Sequence, residues 1–265
     1  RGEDLIFSFI LILDVQRLNK NVDIIGKIGY TYTIKNKLKE KGKMVKIDRR
    51  KNYYLTIDTE TANSLDDALV YDIGGAIHDK KGKVYETFSF VIYEIFVGMK
   101  DLMKTAYYAE KIPKYEDDLR AGSRKMVRYN TARKHIADLC KKYNVRAIIA
   151  HNARFDYRAT NTTQRYLTCS KYRYFLPYGI EVWDTLKMVK STVAKQKSYV
   201  RWCEQNGFMI DETRPRMTAE ILYKYMTNNI DYNESHTGLE DVLIEKEIFV
   251  WCVRQKKKME KKLWE

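Results

Sequence analysis

Three short acidic segments, in a fixed order, constrain this chain more than any other feature. Asp58 and Glu60 close the run Tyr53-Tyr54-Leu55-Thr56-Ile57-Asp58-Thr59-Glu60. Asp156 closes His151-Asn152-Ala153-Arg154-Phe155-Asp156, and His236 and Asp241 bracket His236-Thr237-Gly238-Leu239-Glu240-Asp241. Carboxylates gathered at one point repel each other, which costs free energy unless cations hold them together. A fold that assembles four of them is most simply explained by divalent metal and phosphoryl chemistry.

Each segment carries a local structural signal. Asp58 and Glu60 end an apolar, aromatic run that reads as a strand, and the two-residue period puts both side chains on one face. An Asp-x-Glu pair alone is common. Asp156 follows Val145-Arg146-Ala147-Ile148-Ile149-Ala150, a short buried-strand pattern that turns toward a helix. Thr237 and Glu240 have the spacing of a capping box, opening a helix through Leu243, Ile244, Ile248 and Phe249. That places Asp241 in the first turn and His236 just before it. Strand end, strand end and helix start in this order are far more specific than any one of them.

These segments resemble the three motifs of the DEDDh exonucleases, which include the proofreading epsilon subunit of bacterial DNA polymerase III, RNase T and oligoribonuclease. Asp58-Thr59-Glu60 matches the first motif, His151 through Asp156 the second, and His236 through Asp241 the His-x-x-x-x-Asp third. Glu181-Val182-Trp183-Asp184-Thr185-Leu186 resembles the family's Asp-Thr-Leu segment. Arg214 through Tyr223 and Glu234-Ser235-His236-Thr237 look more like exonucleases of tailed bacteriophages. The resemblance covers roughly residues 50–265. It implies an α/β, RNase H-like exonuclease fold with a mixed five-stranded sheet flanked by helices.

It also implies a mechanism. Two divalent ions about 4 Å apart activate a water, neutralise developing charge and stabilise the leaving 3′-oxygen. Asp58 would bridge both ions, Glu60 and Asp241 would complete one shell, and Asp156 would serve the other. His236, with an ordinary pKa of about 6.5, suits proton removal from the attacking water. The same reading places substrate contacts at Thr59, Thr61, Asn152 and Phe155. Hard oxygen donors point to Mg2+, with Mn2+ as a substitute. The implied reaction is 3′→5′ hydrolysis of single-stranded nucleic acid, DNA first, releasing nucleoside 5′-monophosphates. RNA trimming and a catalytically inactive nucleic-acid-binding module are the alternatives. A DNA polymerase or other replication protein is a candidate partner, although no short partner-binding tail announces one. Proofreading, repair, recombination and nucleotide scavenging all stay open as roles. The expected location is the cytoplasm, that of a bacterial host if the chain is phage-encoded.

Simpler roles compete at each position. Asp58 and Glu60 suit a charged strand end, Asp156 a helix cap, and His236 a residue held only by its neighbours. His151 also stands five residues before an aspartate, but the expected capping box and the family's third motif favour His236 as the base. Asp184, followed by Thr185-Leu186-Lys187-Met188-Val189, reads first as an N-cap.

Composition agrees with a polyanionic partner. Lys and Arg number 49 against 35 Asp and Glu, a net charge of +14. The excess is spread over Lys46–Lys51, Arg124–Arg128, Lys171–Arg173 and Lys256–Lys262. There are 21 tyrosines, and Tyr172, Tyr174, Phe175 and Tyr178 interleave with Lys171 and Arg173 as base-stacking sites would. Core packing is the competing role for these rings. Cys140, Cys169, Cys203 and Cys252 are widely spaced and read as reduced thiols. The apolar stretch Leu5–Leu13 is too short to span a bilayer and lacks a basic lead-in, so no membrane partner is expected.

The expected organisation is an N-terminal extension over residues 1–43 and one exonuclease domain over 44–265. Lys39-Glu40-Lys41-Gly42-Lys43 before Met44 is what a purine-rich ribosome-binding site would encode if translated. A native start at Met44 is therefore the expectation, and the alternative is a short N-terminal extension that packs on the domain or contacts a partner. Strands are expected near 52–58, 68–78, 83–93, 146–150 and 180–183. Helices are expected near 94–105, 123–143, from about 154, and through the C-terminal part. Relative to compact family members, residues 100–120 and 185–235 read as additions, the latter covering one side of the site.

Overall fold

In the computed structural model the described residues are 47–106, 109–168 and 174–264. The expected extension, the Met44 start, Cys169 and the Lys171-Tyr172-Arg173 cluster lie outside them. The chain alternates strands rich in β-branched and aromatic residues with amphipathic helices. In order these are β1 (Tyr53–Ala62), β2 (Leu69–Asp79), β3 (Val84–Ile92), α1 (Tyr93–Phe96), α2 (Lys100–Met103), α3 (Ile112–Ala121), β4 (Lys125–Val127) and α4 (Tyr129–Tyr143). They continue with β5 (Val145–Ala150), α5 (Ala153–Leu167), β6 (Glu181–Asp184), α6 (Thr185–Ser191), α7 (Lys197–Gln205), α8 (Ala219–Thr227) and α9 (Gly238–Arg254).

The strands form one mixed sheet in the order β4-β3-β2-β1-β5-β6. The first three form the expected antiparallel meander, and β5 and β6 add in parallel beyond β1. Six strands replace the expected five. The difference is β4, where Lys125-Met126-Val127 pairs in parallel with Phe90-Val91-Ile92. Its three residues come out of the predicted helix 123–143, which begins instead at Tyr129. The predicted helix 94–105 is likewise split into two single turns on either side of Gly98.

Alternation along the strands feeds two cores. Tyr53, Leu55 and Ile57 of β1 pack with α4 and α5 on one face. Tyr54 on the opposite face packs with Trp183, Met188, Tyr199 and Phe249 from β6, α6, α7 and α9. Thr56, Asp58 and Glu60 follow Tyr54 in the two-residue period, so they belong to the α9 face. Strand β1 runs on past the expected end at residue 58, which puts both acids inside the strand, with a register irregularity after Glu60.

Close backbone approach brings α9 onto this face. A Cβ on Gly74 would fall 2.1 Å from the Gly238 carbonyl carbon, and one on Gly238 would fall 2.7 Å from the Gly74 nitrogen. Glycine at both positions lets the start of α9 rest directly on β2. At the far edge, β6 is closed by the segment Lys261–Leu263. Asp184 donates its N–H to the Lys261 carbonyl at 2.7 Å, and Leu263 donates to that of Val182 at 2.8 Å. Among the described residues no helix is long and apolar enough to cross a membrane.

Candidate active site

Strand β1, the start of α5 and the start of α9 meet at one cleft of about 510 Å³. Its lining includes Asp58, Thr59, Glu60, Asn152, Phe155, Asp156, His236 and Asp241. Carboxylate oxygens of Asp58, Glu60 and Asp241 lie within 4.8 Å of one another. Asp156, in the first turn of α5, accepts a hydrogen bond from Thr59 Oγ1 at 2.8 Å, so it does not cap its helix. The structure therefore brings together all five residues expected from the three segments. Of the expected substrate contacts, Thr59 spends its hydroxyl on Asp156. Asn152 is exposed and Phe155 partly buried at the wall. Thr61 lies beyond the irregularity in β1 and is not part of the lining.

The electrostatics are those of an uncompensated acid cluster. Burial pushes Asp58 well above the usual carboxylate range, and Glu245, Asp156, Glu60 and Asp241 push it further. Glu60 is raised to about 9 by burial and then by Asp241 and Asp72. Burial also raises Asp156 and Asp241, each to about 7, against the hydrogen bonds from Thr59 and Ser235 respectively. Closely spaced hard oxygen donors that cannot all ionise unaided suit a hard divalent cation. The donor set fits a divalent cation: Asp58, Glu60 and Asp241 could hold one, and Asp156 lines the same cleft.

Two acids in this cleft escaped the sequence reading. Glu245, one turn beyond Asp241 on α9, is buried and accepts the His151 N–H at 3.2 Å. Its spacing of four from Asp241 was the available signal. Glu234 precedes His236, and the ligand atoms of Glu220, Glu234 and His236 also lie within 4.8 Å of each other. Burial and the nearby Asp241 raise Glu234 to about 8. His236 itself has a left-handed φ of 49°. Burial, then the Lys111 ammonium, lowers its pKa, leaving the imidazole neutral at neutral pH.

The competing histidine is fully engaged. His151 Nε2 lies 2.7 Å from the Met217 carbonyl, and Nδ1 lies 2.9 Å from Thr185 Oγ1. The carbonyl only accepts, so Nε2 carries the proton, and a neutral ring accepts at Nδ1. His151 thus ties β5 to α6 and to the segment before α8. Asp184 caps α6 as expected, accepting from Leu186 N at 2.9 Å, and also accepts from Asn152 N at 3.0 Å. That second bond fixes the left-handed turn into α5, where Asn152 has φ 63°.

The expected capping box does not form. Thr237 occupies the N-cap of α9, but its hydroxyl donates to Glu240 Oε2 at 2.8 Å instead of accepting a backbone N–H. The Gly238 N–H goes to Asp72 Oδ2 at 3.0 Å. A carboxylate on the neighbouring strand does the capping, so the box is unnecessary. Two other expectations are revised by burial. Arg124, counted with the basic surface, is 4 % exposed and inside an ion-pair network. Phe175, counted with the stacking rings, is buried against Tyr129, whereas Tyr174 and Tyr178 are exposed.

No family model matches this chain, and no curated protein matches it. Solved structures do. A 3′-exonuclease described in 3′-end-specific recognition of the histone mRNA stem-loop matches at 12% identity and a TM-score of 0.52, over 94% of this chain and 81% of that one. Exonuclease I of E. coli, in complex with a dT13 oligonucleotide, matches at 15% identity and a TM-score of 0.48, over 78% of this chain and 41% of that one. Exonuclease I of Methylocaldum szegediense matches at 16% identity and a TM-score of 0.45, again over 78% and 41%. This chain spans about two fifths of those Exonuclease I chains. At these identities the likeness concerns architecture: the mixed six-stranded sheet with flanking helices is the RNase H-like exonuclease fold.

Proposed function

We propose that this protein is a metal-dependent 3′→5′ exonuclease that removes nucleoside 5′-monophosphates from single-stranded nucleic acid, DNA in the first place. The observation that carries the reading is the convergence of Asp58, Glu60, Asp156, Asp241 and His236 in one cleft. Mg2+ held there would neutralise charge on the phosphoryl oxygens and lower the pKa of water. The chain's own groups supply the rest. Asp58, Glu60 and Asp241 fix the donor geometry, and Thr59 holds the Asp156 carboxylate toward the cleft. His236 removes a proton from the attacking water, a role supported by its neutrality and by the full engagement of His151. Asn152 and Phe155 border the space that a terminal nucleotide would enter.

RNA trimming is the alternative reading, supported by the fold shared with the 3′-exonuclease described in recognition of the histone mRNA stem-loop. The resemblance of the segments Arg214–Tyr223 and Glu234–Thr237 to those of tailed-bacteriophage exonucleases supports a phage-encoded enzyme acting in the host cytoplasm. The test is digestion of 5′-labelled single-stranded DNA and RNA of one sequence in Mg2+, Mn2+ or chelator. A metal-dependent ladder shortening from the 3′ end, lost in Asp156→Ala, is expected. Tight binding with no ladder on either substrate would replace the enzyme with a binding module.

A further inference from the structure

We infer that Arg124 is a positioning residue that decides which of two adjacent acids, Glu240 or Asp241, faces the cleft. The inference rests on the metal-dependent reading of that cleft. Arg124 stands just before β4, and its guanidinium is almost completely enclosed. Nη1 donates to Asp72 Oδ2 at 3.1 Å and to Ser89 Oγ at 2.7 Å. Nε donates to Asp118 Oδ2 at 3.0 Å, and Nη2 to Glu240 Oε2 at 2.9 Å. The group also sits 4.8 Å over the Tyr115 ring. One side chain thus joins β2, β3, α3 and α9.

Asp72 completes the clamp. Its Oδ2 also accepts from Tyr115 Oη at 2.8 Å and from the Gly238 N–H, the first of α9. The opening turn of α9 is gripped twice, at Gly238 through Asp72 and at Glu240 through Arg124. Successive residues of a helix point about 100° apart. Holding Glu240 toward Arg124 therefore swings Asp241 toward Asp58 and Glu60, and it keeps a surplus carboxylate out of the cluster. Stability alone does not account for such a network, since a well-packed apolar set serves a buried site as well or better. Fixed geometry does. A lysine, with one compact ammonium, cannot reproduce the planar fork.

The test is calorimetric titration of Mn2+ into the wild-type protein, Arg124→Lys and Glu240→Ala, with urea unfolding of each. Losing a partner that orients a metal ligand typically weakens metal binding by about 10–100-fold. That loss is expected in both variants under conditions where each is fully folded, with a lower unfolding midpoint wherever the enclosed Arg124 is left short of a partner. Wild-type Mn2+ affinity in Glu240→Ala would overturn the inference while leaving the active-site reading intact. Should Arg124→Lys fail to fold, Glu240→Ala decides alone. No Mn2+ binding by the wild-type protein would bring down both.

Discussion

In the absence of metal, replacing Glu60 by glutamine should make this protein more stable. Glu60 is partly buried beside Asp58 and Asp241, and its pKa is raised from 4.5 to about 9. The unfolded chain releases this proton above its ordinary pKa, whereas the folded chain keeps it. Stability therefore falls as pH rises from about 4.5 to about 9. At about pH 7.5 the three-unit gap, at 1.36 kcal/mol per unit, amounts to about 4 kcal/mol. The acids share their repulsion, so removing one recovers only part of the sum, about 2–4 kcal/mol. For a domain of this size that raises the melting temperature by about 5–10 °C. Glutamine keeps the shape and cannot ionise. The assay is thermal unfolding of wild type and Glu60→Gln in chelator and in Mn2+, at about pH 5 and about pH 7.5. At about pH 5 the gain should shrink to below about 1 kcal/mol. In Mn2+ the wild type should gain stability and the variant much less, having lost a ligand. A variant that melts below wild type in chelator at the higher pH would refute the reasoning.

Metal binding itself should displace protons. With Asp156 and Asp241 raised to about 7 and Glu60 to about 9, Mn2+ affinity should rise at least about tenfold between pH 6.5 and 8.5. Calorimetric heats should depend on the buffer, reporting the released protons. His236→Ala should lower kcat by about 10²–10⁴-fold while calorimetric Mn2+ affinity stays near wild type. Gly74→Ala should force α9 off the sheet and cost about 3 kcal/mol, seen as a lower urea midpoint together with weaker Mn2+ binding. Asp184→Ala removes an N-cap and a partner of Asn152 N, and should cost about 1–2 kcal/mol by urea unfolding.

Local signals carried much of this into the sequence. The two-residue period around Asp58 and Glu60 was enough to put both acids on one face, because a strand's alternation needs no knowledge of its neighbours. Asp184 was legible as a cap for the same reason: its target, Leu186 N, is two residues away. What stayed hidden acts across the fold. Asp72 caps a helix 166 positions later, and in sequence it is one acid in an apolar strand. Arg124 looked like surface charge because Asp72, Ser89, Asp118 and Glu240 meet it only after β2, β3, α3 and α9 have packed. Strand β4 was masked by helix-compatible residues, and its pairing is supplied by β3. The Thr237-Gly238-Leu239-Glu240 spacing marks the helix start but not the capping box it predicts, since spacing does not show which acceptor reaches the N–H first.

Pairing of Lys261–Leu263 along β6 has a bearing on colloidal behaviour as well as on architecture. A bare sheet edge is a template on which another copy can add a strand. Here the segment that closes that edge is lysine-rich, so an approaching copy would meet occupied hydrogen bonds and like charge. The same stretch holds the Asp184 N–H, one residue's breadth from the carboxylate that fixes Asn152. Fraying of this lysine-rich margin would expose a self-adhesive edge and loosen one wall of the cleft in a single event.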